Sequence, residues 1–360
     1  MTSSARQAHR SSWKCPSNIA LVKYWGKRDF QLPMNPSLSF ILQNSFTETT
    51  VDLHKDGNQK VMFYFEGEAS NFSKRIEKYL LVISERLPWI NKYNFTIHSR
   101  NSFPHSAGIA SSASSFGALA LCLTEIDFAF SGKEISGTDF LKEASELARM
   151  GSGSACRSVY PGFSIWGQTQ LFESSSDEHA LPIKEGIHPV YLGLRDAILL
   201  VDSGTKKVSS SVGHKLMDKH IFQRSRIAQT HENINELYLA LLTGDLEKFV
   251  EITENEALSL HAMMMTSNPS FILLKSNSLE LIARIRQFRE KTKIPVCFTI
   301  DAGPNIHLLY FQDNEQEVKA WIEFELLDFC ENRMWIDDRI GVGASPIPSK
   351  GGVKESVIID

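Results

Sequence analysis

The chain contains no apolar run approaching the roughly 18 residues that a membrane-spanning helix needs. It is also poor in cysteine. Cys15, Cys122, Cys156, Cys297 and Cys330 are far apart, odd in number and form no Cys-x-x-Cys pair. A structural zinc site or a disulfide framework is therefore not expected, and a reducing cytoplasm is the expected setting. Most of the five are expected to be small apolar residues of the core. Basic charge is not in excess: 38 Lys and Arg stand against 42 Asp and Glu, a net charge of −4, so no positive field is available to recruit nucleic acid. Met1–Ser12 is polar, lacks the apolar centre of a signal peptide and reads as a frayed lead-in. Familiar catalytic signatures are missing too. There is no Gly-x-x-x-x-Gly-Lys-Ser/Thr, no Gly-x-Gly-x-x-Gly after a strand and no protein-kinase loop. Neither Gly-x-Ser-x-Gly nor His-Glu-x-x-His occurs, which counts against a serine hydrolase and a zinc peptidase. No internal repeat or low-complexity tract is found.

What remains is 360 residues, 42% hydrophobic and 22% charged, the composition of a soluble globular protein long enough for roughly two domains. Strand patterns fall at Asn18–Val22, Leu38–Leu42, Thr47–Leu53, Val61–Glu66 and Tyr93–Ser99, with a hairpin turn expected at Asp56-Gly57-Asn58. In Ser70–Leu87, residues Phe72, Ile76, Tyr79, Leu80, Ile83 and Leu87 share one helical face. Further helices are expected over 111–125, Thr138–Met150, 214–230, 232–243, 245–265, 270–290 and Glu315–Phe329. Strands are expected at Phe163–Thr169, Ala197–Val201, Ile294–Ile300 and Ile306–Phe311. Glu173–Ile187 reads as an exposed loop, Met263–Met265 as packing or pocket wall, and Gly341–Gly352 as a tail.

Four stretches could carry chemistry. The first is Phe103–Ala118, a strand-to-helix loop with Pro104, Gly108, Ile109, Ala110 and hydroxyls at Ser111, Ser112, Ser114 and Ser115. Such a loop aims free N–H groups and a helix dipole at one spot, which suits a phosphate; a serine-capped core helix fits equally. The second is Lys23-Tyr24-Trp25-Gly26-Lys27, either an anion site or a solvated turn. The third, Ser152-Gly153-Ser154-Ala155-Cys156-Arg157, follows Gly151 and offers one arginine for bidentate binding of a carboxylate or phosphate; the alternative is a helix C-cap and turn. The fourth is Asp301-Ala-Gly-Pro-Asn305 at the end of an apolar strand, placed to point into a cleft or to cap a hairpin. Cradled donor phosphates, neutralising cations and one carboxylate are nearly all that phosphoryl transfer needs.

Together these motifs are highly specific. Pro104-x-x-x-Gly-Ile-Ala-Ser-Ser-Ala resembles the phosphate loop of the GHMP kinase superfamily. Asn18-Ile-Ala-Leu-Val-Lys-Tyr-Trp-Gly-Lys-Arg-Asp29, Leu32-Pro-x-Asn35-x-Ser-Leu-Ser39, Gly151–Ser158 and Asp301–Asn305 resemble the diphosphomevalonate decarboxylases, in that family's order from about residue 13 to 310. Ser209-Ser-Ser-Val-Gly213 is a weaker match. The resemblance implies an α+β fold in two GHMP-kinase-like parts, 1–190 and a more helical 191–360, with the cleft between them. It implies ATP with Mg2+ arriving on the nucleotide, no protein metal site, and a small-molecule substrate, mevalonate 5-diphosphate, converted to isopentenyl diphosphate. Members are often homodimers.

Carried over by motif, Asp301 would orient or deprotonate the substrate's 3-hydroxyl and Lys23 would pair with it. Arg157, with Asn18 beside it, would hold the substrate carboxylate. Tyr24, Trp25, Gly26, Lys27, Ser152, Gly153, Ser154, Ala155 and Cys156 would surround the diphosphate, with Ser210 or Ser211 closing on the substrate and Lys74 or Arg75 adding a basic contact. Pro104, Gly108, Ile109, Ala110, Ser111, Ser112 and Ser114 would face ATP. The chain departs from the family at His105-Ser106, Ser115, Pro36 and His214. Alternatives are relatives that phosphorylate mevalonate without decarboxylating it, decarboxylases of the monophosphate, and a non-catalytic phosphate-ligand sensor. Asp301 favours a decarboxylase, and Tyr24, Lys27 and the Ser/Gly/Arg loop favour the diphosphate.

Overall fold

The computed structural model describes residues 9–55, 61–104, 109–135, 137–204 and 210–348, with only the backbone at Ser210 and Ser211. In chain order the first part is β1 (His9–Val22), β2 (Ser37–His54), β3 (Val61–Phe65), β4 (Glu68–Ala69), α1 (Ser73–Ile83), β5 (Asn94–Asn101), α2 (Ser111–Ser131), α3 (Gly137–Gly151), β6 (Phe163–Trp166) and β7 (Ala180–Ile183). There follow α4 (Pro189–Leu192), β8 (Leu194–Leu199), α5 (Ser210–Lys215), α6 (Gln223–Thr243), α7 (Leu246–Met265), α8 (Ser276–Thr292), β9 (Cys297–Thr299), β10 (Ile306–Phe311), α9 (Glu315–Trp321), β11 (Trp335–Arg339) and β12 (Ser345–Pro346).

Two sheets result. The first runs β12-β1-β2-β5-β3-β4, with β6 on β2 and β7 on β6; the second runs β11-β8-β10-β9 and is antiparallel throughout. Long, alternating β1 and β2 supply the spine of the first sheet, pairing from His9↔Leu53 to Val22↔Leu38. Their apolar residues Ile19, Leu21, Leu38 and Phe40 share a core with Tyr191, Ile198, Ile234, Phe249 and Leu309 of the second half. This common core fixes the end of β1 against the second sheet. On the other side, α2 packs with Trp13, Cys15, Phe95 and Phe140. By length and composition α2 could cross a membrane, although no such run was expected from the sequence. Its apolar window is 72% buried within the protein, so it is apolar all round because it is covered all round.

Several boundaries differ from expectation. Met1–Ser12 was expected to fray, yet β1 already pairs with β2 at His9, because Trp13 and Cys15 face the core at alternate positions. The stretch 173–187 is not only loop: β7 lies within it, paired to β6. The helices expected at 214–230 and 232–243 are replaced by the short α5 and a continuous α6, since no helix breaker separates Gln223 from Thr243. The helix expected over 270–290 begins at Ser276, and the one over Glu315–Phe329 loosens after Trp321 into a π-turn and a 3-10 turn. Part of the expected tail is β12, which pairs with β1. The expected hairpin turn at 56–58 lies outside the described residues.

Candidate active site

β1 ends in the core that the two sheets share. Lys23, directly after it, is almost wholly buried, and its Nζ donates to Asp301 Oδ1 at 2.7 Å. Asp301 follows the buried run Val296–Ile300. The Ala-Gly-Pro turn after it is pinned where Ser278 Oγ donates to the Pro304 carbonyl at 2.6 Å and Gly303 N–H donates to the Asp301 carbonyl at 2.7 Å. An ion pair this buried in one partner orients both groups, since Coulomb attraction is strong away from water.

Arg157 closes the short 3-10 turn Gly153–Arg157 after α3 and is 2% exposed. Its Nη1 donates to Ser37 Oγ and its guanidinium lies 5.9 Å from the Trp166 ring centre. Among the described residues its Nε has no hydrogen-bond partner, and no carboxylate forms a salt bridge with it. Burial, the largest influence, lowers its pKa, with Cys156, Asp301 and Tyr24 opposing. A buried cation left in this state is suited to an incoming anion. Asn18 lies beside it: its Nδ2 donates to the Ser154 carbonyl at 2.9 Å and to Ser158 Oγ at 2.8 Å, while its Oδ1 finds no partner among the described residues.

The Tyr24–Lys27 turn borders this pair. Tyr24 packs on Trp166 and His214, with ring centres at 4.7 and 4.4 Å; burial raises its phenol pKa, and its hydroxyl lacks a partner among the described residues. A Cβ on Gly153 would meet that hydroxyl at 2.8 Å, so the close approach requires glycine. Gly26 has φ +94° and also lacks room for a Cβ against Met34. Its N–H donates to His214 Nδ1 at 3.0 Å. Burial, then Lys27, pulls His214 down to about 3, so the ring is neutral and free to accept. Trp25 is not at the surface of the turn: it is 4% exposed and packs with Met217, Met263 and Met264. Ala155 and Cys156 are likewise fully buried.

Lys27 bonds Gln31 Oε1 at 2.9 Å, and burial followed by Arg75 and Lys215 lowers its pKa. Lys27 thus has two further cations within electrostatic reach, an arrangement suited to a polyanion. Arg75, from α1, spreads over Phe116 and Phe72 at 4.9 and 5.2 Å. Lys215 was not singled out from sequence. Nor were Glu256 and His261, which touch the backbones of Lys23 and Asp301. No local pattern around these residues announces such a contact.

The serine loop meets the second loop where Ser112 Oγ and Ser152 Oγ lie 3.2 Å apart. Ala110, at the N-cap of α2, brings no side-chain cap; the Ser111 and Ala113 N–H groups donate to the Ile109 and Ala110 carbonyls at 2.5 and 2.8 Å, so the first turn is partly satisfied by its own backbone. Ser111 is partly exposed, Pro104 is exposed and Ile109 is buried. Ser114 turns inward instead: it is fully buried and its hydroxyl bonds Thr47 Oγ1 at 2.7 Å and the Ser111 carbonyl at 3.2 Å. Gly108 and the His105-Ser106 departure lie outside the described residues, as do the side chains of Ser210 and Ser211. Among the described residues no group of three His, Cys, Asp or Glu could hold a metal ion.

Comparison with known proteins matches two family models in tandem. Residues 15–178 match the diphosphomevalonate decarboxylase-like N-terminal domain, and residues 197–336 match the mevalonate 5-diphosphate decarboxylase C-terminal domain. A diphosphomevalonate decarboxylase of Ganoderma lucidum is 31% identical over 332 residues, 86% of this chain and 80% of that protein. Among solved structures, mevalonate diphosphate decarboxylase from Staphylococcus aureus superposes with a TM-score of 0.82 at 31% identity, covering 95% of this chain and 99% of that one. A structure described as MDDEF in complex with MVAPP, AMPPCP and magnesium gives 0.82 at 28% identity, covering 95% and 100%.

Proposed function

The chain belongs to the diphosphomevalonate decarboxylase family, and we propose that the Lys23–Asp301 pair is the centre of its reaction, the ATP-dependent decarboxylation of mevalonate 5-diphosphate. The observation that carries this is the 2.7 Å ion pair beside a buried arginine that no carboxylate neutralises among the described residues.

Asp301 accepts the hydrogen bond, and then the proton, of the tertiary 3-hydroxyl as it attacks the γ-phosphoryl of ATP. Lys23 orients Asp301 through their ion pair and faces the charge on the transferring group. A tertiary hydroxide leaves poorly and a phosphate leaves well. As the C3–O bond breaks, positive charge grows at C3. The electrons of the carboxylate C–C bond then move to form the new double bond, releasing CO2 and leaving isopentenyl diphosphate with ADP and phosphate. Arg157 holds that carboxylate, and its fork fixes it in the plane that bond breaking needs. Asn18, expected to share that contact, spends both Nδ2 hydrogens on Ser154 and Ser158 and instead braces the loop that carries Arg157. Lys27, Arg75 and Lys215 take the diphosphate with Tyr24, Ser152, Gly153 and Ser154. The N-terminus of α2, with Ser111 and Ser112, holds the ATP phosphates. Magnesium supplies charge neutralisation on the nucleotide. The Ser112 hydroxyl, 3.2 Å from Ser152 Oγ, is an oxygen that would suit a hard ion carried on ATP.

The five cysteines are free and buried, which supports a reducing compartment, the cytoplasm. Homodimerisation is a further proposal, read directly by sedimentation. The catalytic assignment is tested with Asp301→Asn. Turnover should vanish while ATP and substrate still bind with nearly unchanged affinity; near wild-type CO2 release from this variant would remove Asp301 from the mechanism.

A further inference from the structure

Lys23 and Asp301 are 278 residues apart, yet one helix holds the backbone of each. Glu256, buried on α7, accepts the Lys23 N–H through Oε2 at 2.8 Å. Further along α7, His261 Nε2 lies 3.1 Å from the Asp301 carbonyl oxygen. A carbonyl can only accept, so Nε2 carries the proton. Burial, opposed by the Asp301 carbonyl and aided by Lys23, brings His261 down to about 4, which keeps the ring neutral with that single proton in place.

Glu256 is itself fixed. Arg226 of α6 donates Nη1 to Oε1 at 2.7 Å and Nη2 to Oε2 at 2.5 Å, and Asn233 Nδ2 donates to Oε1 at 2.5 Å. The Lys23 carbonyl is held as well, by Asn35 Nδ2 at 2.9 Å and Arg226 Nη2 at 3.4 Å. The Lys23 peptide is thereby clamped at both its N–H and its carbonyl. A buried Arg–Glu pair contributes little net stability compared with apolar residues of similar volume. What apolar residues could not supply is an acceptor aimed at one N–H.

We infer that α7 is an alignment bar for the active site: Glu256 and His261 are positioning residues that set the Lys23–Asp301 geometry from the backbone side. This rests on the reading that Lys23 and Asp301 carry the reaction.

The test uses the full chain with His261→Leu, which removes the donor, His261→Gln, which keeps one, and the double variant Glu256→Leu/Arg226→Met, which replaces the buried pair by apolar volume. A misplacement on the scale of an ångström lowers turnover by about 10- to 100-fold. The expected result is a kcat loss of that size for His261→Leu and the double variant. KM for ATP and for mevalonate 5-diphosphate should stay within about twofold and Tm should be close to wild type, with His261→Gln recovering most of the rate. Wild-type kcat in a folded His261→Leu would overturn the inference. So would equal losses of rate and Tm in His261→Leu and His261→Gln, which mark a purely structural residue. If the double variant does not fold, the two His261 variants decide. Asp301→Asn run in parallel separates the two levels: CO2 release from it sinks the underlying reading, whereas an inert Asp301→Asn beside a fully active His261→Leu sinks only the alignment role.

Discussion

Three arginines are buried among the described residues, and Arg149, at 5% exposure, is spent on the backbone carbonyls of Glu178 and Phe30, which leaves Arg157 at 2% and Arg226 at 3% as the pair to compare. Arg226 is neutralised within the fold, forked onto Glu256. Arg157 has a serine hydroxyl and an aromatic face, and no carboxylate in salt-bridge contact among the described residues. The two side chains share a chemistry and a degree of burial, and they differ in who supplies the counter-charge. A buried cation neutralised by the chain belongs to the scaffold. One left for a ligand belongs to the site.

Single substitutions should pull the two apart. Arg226→Met strands the Glu256 carboxylate in the core and should cost about 3–5 kcal/mol of unfolding free energy, read by urea titration. Arg157→Met removes a charge that the fold does not neutralise, so stability should hold or rise. Turnover should fall by about 100- to 1,000-fold, the scale of losing one preorganised charged contact. If Arg157→Met unfolded the protein as Arg226→Met does, the contrast between them would collapse.

The comparison extends to buried groups that stay neutral. His214 and His261 are lowered to about 3 and about 4, against an unfolded value near 6.5. In the window between, the unfolded chain binds more protons than the folded one, so stability rises with pH. It is fully present above about 6.5 and drains as pH falls toward 4 and then 3, at up to roughly 1.4 kcal/mol per pH unit for each ring. Unfolding curves measured from pH 7 to 4 should be visibly flatter in His214→Phe than in wild type. An unchanged slope would mean that His214 is not held neutral.

The smallest effects separate two serines. Ser112, facing Ser152 across the loops, should on replacement by alanine raise KM for ATP about fivefold with little change in stability, the worth of one hydrogen bond. Ser114, spent on Thr47 inside the fold, should do the reverse, losing about 1 kcal/mol of stability and leaving KM for ATP alone.

The same division explains what could be read from the chain. Lys23, Arg157 and Asp301 were legible as candidates because each sits in a contiguous motif, and contiguous residues keep their geometry wherever the chain goes. The amphipathic face of α1 and the apolar run before Asp301 were legible as periodicity. Arg226, Glu256 and His261 were not, because their partners are remote in sequence: Glu256 meets Lys23 across 233 positions. Ser114 looked like its neighbours in the serine loop until the turn of α2 rotated it toward β2. The start of β1 was lost for a related reason, since a polar strand segment becomes a strand only through the partner it pairs with.

This cleft should couple phosphorylation to loss of CO2 on a diphosphorylated substrate. The most direct measurement incubates the protein with ATP and Mg2+ and, separately, mevalonate, its 5-phosphate and its 5-diphosphate, following ADP and CO2 together. Equal amounts of ADP and CO2 are expected with the diphosphate, and little of either with the other two. ADP without CO2 would show a kinase, CO2 from the monophosphate a different specificity, and neither product a binding protein; each would contradict this expectation.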